Sequence, residues 1–523
     1  MSRTPTVLDG PALWPAQAHL PSVLGRQIVI DRAAGSYLHT VDGRRLFDGT
    51  AGLWYANIGH GHPALAEAAR EQMLRLETYH VFSRFVNDQA IALGERLAGL
   101  SPIADPKVIL NSGGSDAIDV ACKLARRHWQ REGRPGKTVV ISREHAYHGL
   151  HAFGTSIAGI EVNREGYGTE SLVPETVRVP VHDVDALAKT IAELGADTIA
   201  AFVTEPVQGT GGVNPPAPGY LEAVQELCRD NDILFVLDEV ITGFGRTGTM
   251  FAAERYGLQP DLVTFAKGVT SGYAPLGGVL VAPRIWEPFY ADGADTPAFR
   301  YGATYSGHAT ACAVAQANLD VLERDGLVAR AAELEQLLAT RLAQLAANRP
   351  SVAEVRVGGF LGGVTVVDEI RAEDVTDALL DLGFVSGPCA ATTCRSARRS
   401  SPPTTSWSPS STRSTTCSPS RNAADAAGRR RGPDRVPGCV PVFLAWTSQP
   451  PTDLTGPWEE TRPVAPGLLL IESTASLSAV YHAVKWCLPD DAALVVTPVE
   501  HTPKSRGWRQ ARRPGCAGGP RPG

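Results

Sequence analysis

The sequence predicts an α/β fold: a large domain on a mostly parallel sheet, and a smaller α+β domain assembled from both ends of the chain. Three observations carry this. From about residue 60 to 310, short apolar runs alternate with helical patterns: KVILN then DAIDVACKLARRHWQ, later TIAAFVT, PGYLEAVQELCRDN, ILFVLDEV and DLVTFAKG. Such alternation is what a parallel sheet with crossover helices requires. Before it, IVIDRAAGSYLHTVDGRRLFDGT reads as hairpin strands with Gly turns. After it, ATACAVAQANLDVLERDGLVARAAELEQLLATRLAQLA reads as long helices and VAEVRVGGFLGGVTVVDE as a strand pair. The expected boundaries are 1–59 and 311–386 for the small domain, truncated at its second end, and 60–310 for the large one.

At 523 residues the chain can bury a large core and divide into two or more domains. A net charge of −6 argues against a nucleic-acid or anionic-membrane partner, for which a basic face is expected. The N-terminus MSRTPTVLDG lacks an apolar signal region, and no run approaches the roughly 18 apolar residues of a membrane span. A cytoplasmic protein is therefore expected. Of nine cysteines only Cys122, Cys228 and Cys312 precede residue 386, too few and too scattered for a disulfide framework or a zinc motif. No metal is expected.

Past Gly387 the composition breaks, and the tail is expected to be largely irregular. Between Ser400 and Ser420, 18 of 21 residues are Ser, Thr or Pro, a content that cannot bury a core. One reading is a disordered segment over 387–430. A sharper one starts from arginine exceeding lysine by 42 to 7, as GC-rich coding produces. Back-translated with GC-rich codons and moved by one nucleotide, Cys394 to Cys417 can read LQISPPFVTTDDELVALVDALDDV, a strand, a turn and an amphipathic helix. That pattern would close an ordinary domain, so a frameshift near residue 386 is expected. In the unassigned tail 431–523, GLLLIESTASLSAVYHAVKWCLPDDAALVVTPVEH reads as strand, helix, strand.

The residues that carry chemistry lie in the alternating region. KVILNSGGSDAIDVACKLAR sets a glycine-rich turn between strand and helix, where backbone N–H groups and the helix dipole favour a phosphate. Gly114 and Ser115 are the candidate ligands, although such a turn also serves simply to start a helix. In SREHAYHG, Tyr147 follows the strand TVVIS and could lie flat against a cofactor or pack in the core. The strand TIAAFVT leads into Glu205, and ILFVLDEV delivers Asp238 and Glu239 to the carboxyl edge at which open α/β sheets bind ligands. The Asp238–Glu239 pair could instead cap a strand or pair with a cation. A third strand then ends in Lys267, one of seven lysines, ahead of a Gly-rich loop. Together these match what pyridoxal phosphate requires: a helix N-terminus for the phosphate, a lysine for the aldehyde, a carboxylate for the ring nitrogen and an aromatic for the ring.

The motifs NSGGSDA, AYHG, EPVQG, LDEVITGFGRTG, FAKG and GATYSGHATACA, over about residues 20 to 385, resemble those of class III (subgroup II) aminotransferases of fold type I. The resemblance implies a PLP/PMP ping-pong transfer of an amino group to a keto acid. It also implies roles: Lys267 as the imine lysine, Asp238 as partner of the ring nitrogen, Tyr147 as stacking aromatic, Glu205 beside the cofactor, and Gly114 and Ser115 as phosphate ligands. Thr304 would reach the phosphate of a neighbouring subunit, so a homodimer is implied. DGTAGLWYANIGHGHPALAEAA and NREGYG resemble the amine or omega-amino acid to pyruvate branch, in which Trp54, and Phe82 from YHVFSRF, would line the substrate pocket; Trp54 could equally be core. The family's arginine for the acceptor carboxylate falls in the segment read as shifted, so none can be named. Two other readings stay open: an aminomutase, epimerase or decarboxylase on the same cofactor, and an inactive remnant.

Overall fold

The computed structural model describes residues 12–167, 172–291 and 298–387, and beyond them four strands between 442 and 499 with positions 480 and 484. Its contacts divide it into two units, Met1–Pro403 and Thr404–Gly523.

In the first unit, β1 (Ile30–Ala34), β2 (Tyr37–Thr40) and β3 (Arg45–Asp48) form an antiparallel meander. The central sheet comprises β4 (Lys107–Asn111), β5 (Val139–Arg143), β6 (Thr176–Val179), β7 (Ile199–Thr204), β8 (Leu234–Asp238), β9 (Leu262–Phe265) and β10 (Gly277–Val281), ordered β4-β10-β9-β8-β7-β5-β6. The pairs β5·β6, β5·β7, β7·β8 and β8·β9 are parallel. β10 runs antiparallel to both β4 and β9, so β4 points the same way as the parallel set.

Every residue of β7, β8 and β9 is buried, as expected of strands covered on both faces. Alternate side chains serve different cores. Val140, Ala201, Val203, Leu234 and Val236 pack with Ile118, Ala121 and Trp129 of the helix Gly114–Arg131. Ile141, Phe202, Phe235 and Leu237 pack on the opposite face with Leu187, Leu221 and Val224. The period of two in the strands and of 3.6 in the helix thus meet in one layer.

The helices Ala309–Arg324 and Leu327–Asn348 follow, then β11 (Val352–Val357) paired antiparallel with β12 (Gly362–Val366). β13 (Phe384–Val385) returns to pair in parallel with β3, which brings both ends of this unit into one sheet. The helix Leu327–Asn348 spans 22 residues and buries none fully. The proposed slip and the segment 388–441 lie outside the described residues.

The second unit contains β14 (Val442–Thr447), β15 (Glu460–Ala465), β16 (Leu468–Glu472) and β17 (Leu494–Val499) in the order β15-β16-β14-β17, all antiparallel. Within a tail expected to be largely irregular, this sheet is regular structure. β16 and β17 fall on the two strands read from sequence; β14 and β15 were not anticipated, since PVFLAWT and ETRPVA are short and flanked by prolines. No helix among the described residues is long and apolar enough to cross a membrane.

Candidate active site

Four adjacent parallel strands, β5, β7, β8 and β9, deliver Tyr147, Glu205, Asp238 and Lys267 to a single edge of the sheet. The helix Gly114–Arg131 begins at the same edge after β4. Their side chains and backbone line one pocket of about 140 Å³, together with His148, Gly149, Val240, Ile241 and Ala266. Of the nine residues singled out from sequence, Gly114, Ser115, Tyr147, Glu205, Asp238 and Lys267 therefore converge. Trp54, Phe82 and Thr304 do not line this pocket.

Lys267 opens a 3-10 turn, Lys267–Val269, with φ of 47°, a left-handed conformation uncommon for a residue with a side chain. What holds it there is Asn318, fully buried on the helix Ala309–Arg324. Its Nδ2 donates to the carbonyls of Gly268 (2.8 Å) and Val269 (3.0 Å), and its Oδ1 accepts from Ser271 Oγ (2.6 Å). Burial holds the Lys267 amine below the usual lysine range, against the pull of the Asp238 and Glu205 charges. A neutral amine able to accept a proton is thus more accessible than at a free lysine.

Asp238, 4% exposed, sits inside three contacts. His148 Nδ1 lies 2.7 Å from Oδ2, while Thr264 Oγ1 (3.0 Å) and the Val240 amide (3.1 Å) donate to Oδ1. With the carboxylate accepting, His148 carries its proton on Nδ1. Its Nε2 is buried and has no hydrogen-bond partner among the described residues. Glu205 accepts from the Tyr147 amide (3.0 Å) and the Gly209 amide (2.9 Å), tying the Tyr147 loop to the end of β7. Burial raises its carboxyl, with the two amides opposing the shift. Burial likewise raises the Tyr147 phenol.

The glycines set the width of the slot. A Cβ on Gly149, whose φ is 80°, would lie 2.2 Å from Ser115 Oγ, and one on Gly114 would lie 2.9 Å from Val240 Cγ1. Ser115 Oγ itself accepts from the Leu150 amide at 3.3 Å.

Trp54 is partly buried and packs against the cluster of Val207, Val213, Ile241 and Leu361, of which Ile241 lines the pocket. Phe82 is 42% exposed and is packed near the Gly302 backbone, where an added Cβ would lie 2.7 Å from its Cζ. Thr304 is exposed on the same segment. Sequence reasoning passed over His148, Thr264 and Asn318. His148 stands in the quoted motif AYHG, but adjacency to Tyr147 does not tell which side chain turns toward Asp238, 90 residues away.

Glu239 turns away from the pocket. It accepts from the amides of Ala252 (2.7 Å) and Ala253 (2.8 Å) and from Thr242 Oγ1 (2.8 Å), fastening the short helix Ala252–Arg255. Burial pushes it from the ordinary 4.5 up to about 7 despite these donors. A carboxyl whose folded pKa is raised contributes stability that is full below about 4.5 and is lost as pH rises through about 7. Glu239→Gln should remove that slope. Its unfolding free energy relative to the parent is expected to rise by up to about 3 kcal/mol between pH 4.5 and 8. Denaturant titrations across that range test this, and a pH-independent difference would contradict it.

The chain belongs to the class III aminotransferases: the family model "Aminotransferase class-III" matches residues 21–400. It is similar to diaminobutyrate–2-oxoglutarate transaminase of Halomonas elongata, at 37% identity over 68% of this chain and 80% of that protein. It is similar as well to putrescine–pyruvate aminotransferase of Pseudomonas aeruginosa, at 35% identity over 66% of this chain and 78% of the other. Among solved structures, a PLP-bound amine transaminase from an uncultivated Pseudomonas species superposes with a TM-score of 0.69 at 33% identity, covering 73% of this chain and 92% of that one. The protein is a PLP-dependent aminotransferase of fold type I.

Proposed function

We propose that the pocket at the β5–β9 edge holds pyridoxal phosphate and moves an amino group from an amine or omega-amino acid to a keto acid such as pyruvate. The observation that carries this is the convergence of Lys267, Asp238 and the Gly114–Ser115 helix start on one slot. The residues fit the cofactor: a buried amine for its aldehyde, a triply contacted carboxylate for its ring nitrogen, a flat slot kept open by Gly114 and Gly149, and helix amides for its phosphate. When bound, the cofactor supplies an electron sink for the carbon from which a proton is removed. Lys267 is the base and acid placed to move that proton, its lowered pKa suited to both directions. Asp238 would keep a proton on the ring nitrogen and Tyr147 would supply the aromatic face for the ring, while Glu205 fixes the Tyr147 loop.

The choice of an amine and pyruvate follows the resemblance of the N-terminal motifs and the similarity to putrescine–pyruvate aminotransferase. A homodimer is part of the reading. Tyr79, Phe82, Phe85, Val86 and Tyr305 are each more than 40% exposed, an apolar group beside Thr304 of the kind a partner covers. The tested reaction is the first half-reaction: purified, cofactor-loaded protein mixed with alanine, β-alanine, taurine, 4-aminobutyrate or a benzylic amine, followed by absorbance. Conversion to the amine form of the cofactor with at least one donor, reversed by pyruvate, is expected. No spectral change with any donor would defeat the reading.

One observation favours a second reading, a folded chain without turnover. Leu337, Leu345, Phe360 and Val364 are at least 36% exposed around a two-stranded sheet, so this part of the fold has an apolar face without cover among the described residues. A frameshift past residue 386 accounts for it, and an intact reading frame across codons 385 to 395 in independent DNA sequence would sink that explanation.

A further inference from the structure

A second cavity of about 130 Å³, close in size to the lysine pocket, lies between the loop after β8 and the start of the helix Leu327–Asn348. Its polar end is Arg246. This guanidinium donates to Asn57 Oδ1 (2.5 Å) through Nη2, while its Nε is buried with no partner among the described residues. The acids nearby in sequence and space are taken: Glu335 holds Arg255 in a two-point pair (2.7 and 2.8 Å), and Glu333 pairs with Arg330. No ion pair to Arg246 exists among the described residues. Burial pushes its pKa down to about 10, which leaves it charged at neutral pH and without a counter-ion. Asn57 and Arg330, the latter paired with Glu333, also border the cavity, and most of the remaining lining is hydrocarbon from Leu322, Leu327, Leu334 and Phe360.

A part-buried guanidinium with a buried, unpartnered Nε and no carboxylate on it, facing a largely apolar chamber, is complementary to a molecule with one negative end and a short hydrocarbon body. Phosphate or sulfate would meet one guanidinium without a carboxylate partner, since Arg330 is paired with Glu333, and largely apolar walls, leaving most of its oxygens unsatisfied. We propose that this cavity is a binding site for a short aliphatic carboxylate, its anionic end on Arg246 and its chain among Leu322, Leu327, Leu334 and Phe360. The site abuts the catalytic turn. Asn57, which accepts from Arg246, also donates to the Phe244 carbonyl (2.9 Å), and a Cβ on Gly268, next to Lys267, would lie 2.6 Å from Asn57 Nδ2.

Calorimetric titration of the full, cofactor-loaded chain with isovalerate tests this, beside isovaleramide and inorganic phosphate. Two variants accompany it: Arg246→Met removes the charge, and Ala331→Trp fills the chamber. Isovalerate is expected to bind the parent saturably and each variant at least about ten-fold more weakly, the scale of losing one charge-assisted contact. The amide and phosphate are expected to be at least about ten-fold weaker than isovalerate on the parent. Equal isovalerate affinity in parent and variants would place the acid elsewhere, the lysine pocket included, and overturn the proposal. So would absence of saturable binding, or phosphate binding as tightly as isovalerate. Should Arg246→Met fail to fold, Ala331→Trp carries the comparison.

Discussion

Lys267→Ala is expected to abolish amino transfer, lowering the donor half-reaction by about 10⁴-fold or more while leaving the fold intact. The reason is local. Lys267 is the lysine that lines the pocket, its amine is held below the usual range by burial, and Asn318 fixes the turn that presents it. Neither Asp238 nor Glu205 can substitute: one is committed to His148, Thr264 and the Val240 amide, the other to the Tyr147 and Gly209 amides. Stopped-flow absorbance with a reactive donor measures the loss, and circular dichroism shows whether the variant is folded. A folded variant retaining even a hundredth of the parent rate would mean that another group moves the proton.

Asp238→Asn is expected to have the second-largest effect, a fall in rate of about 10²–10³-fold, the scale of losing one preorganised electrostatic partner. An amide cannot hold a cationic ring nitrogen as a carboxylate does. It also puts an NH₂ group on one side, where either His148 at Oδ2 or Thr264 and the Val240 amide at Oδ1 now find an acceptor. Cofactor affinity, read by absorbance titration, should fall by about ten-fold or more along with the rate. Unchanged affinity and rate would show that the ring nitrogen has a different partner.

Much of this arrangement was legible in the chain because its central strands are covered on both faces. Such strands read as continuous apolar runs, so their ends, and the acids and the lysine standing there, could be located one after another. What a run of residues cannot state is sheet order. That β5 neighbours β7, placing Tyr147 beside Glu205, and that β10 slots antiparallel between β4 and β9, are facts of long-range pairing. The same limit hid the supporting shell. Asn318 reaches the lysine turn across some 50 residues and Thr264 reaches Asp238 across 26, and neither contact leaves a local periodic trace. Trp54 shows a further limit: an aromatic partly buried against the cluster that holds Ile241 reads the same in sequence whether it packs, lines a substrate wall or does both.

The account rests on Lys267 holding the cofactor. Borohydride reduction of the PLP-loaded protein, followed by digestion and mass spectrometry, tests this most directly. It should add a phosphopyridoxyl group to the peptide carrying Lys267 and to no other of the seven lysines. Label on a different lysine, or none on a folded, cofactor-saturated protein, would contradict the account.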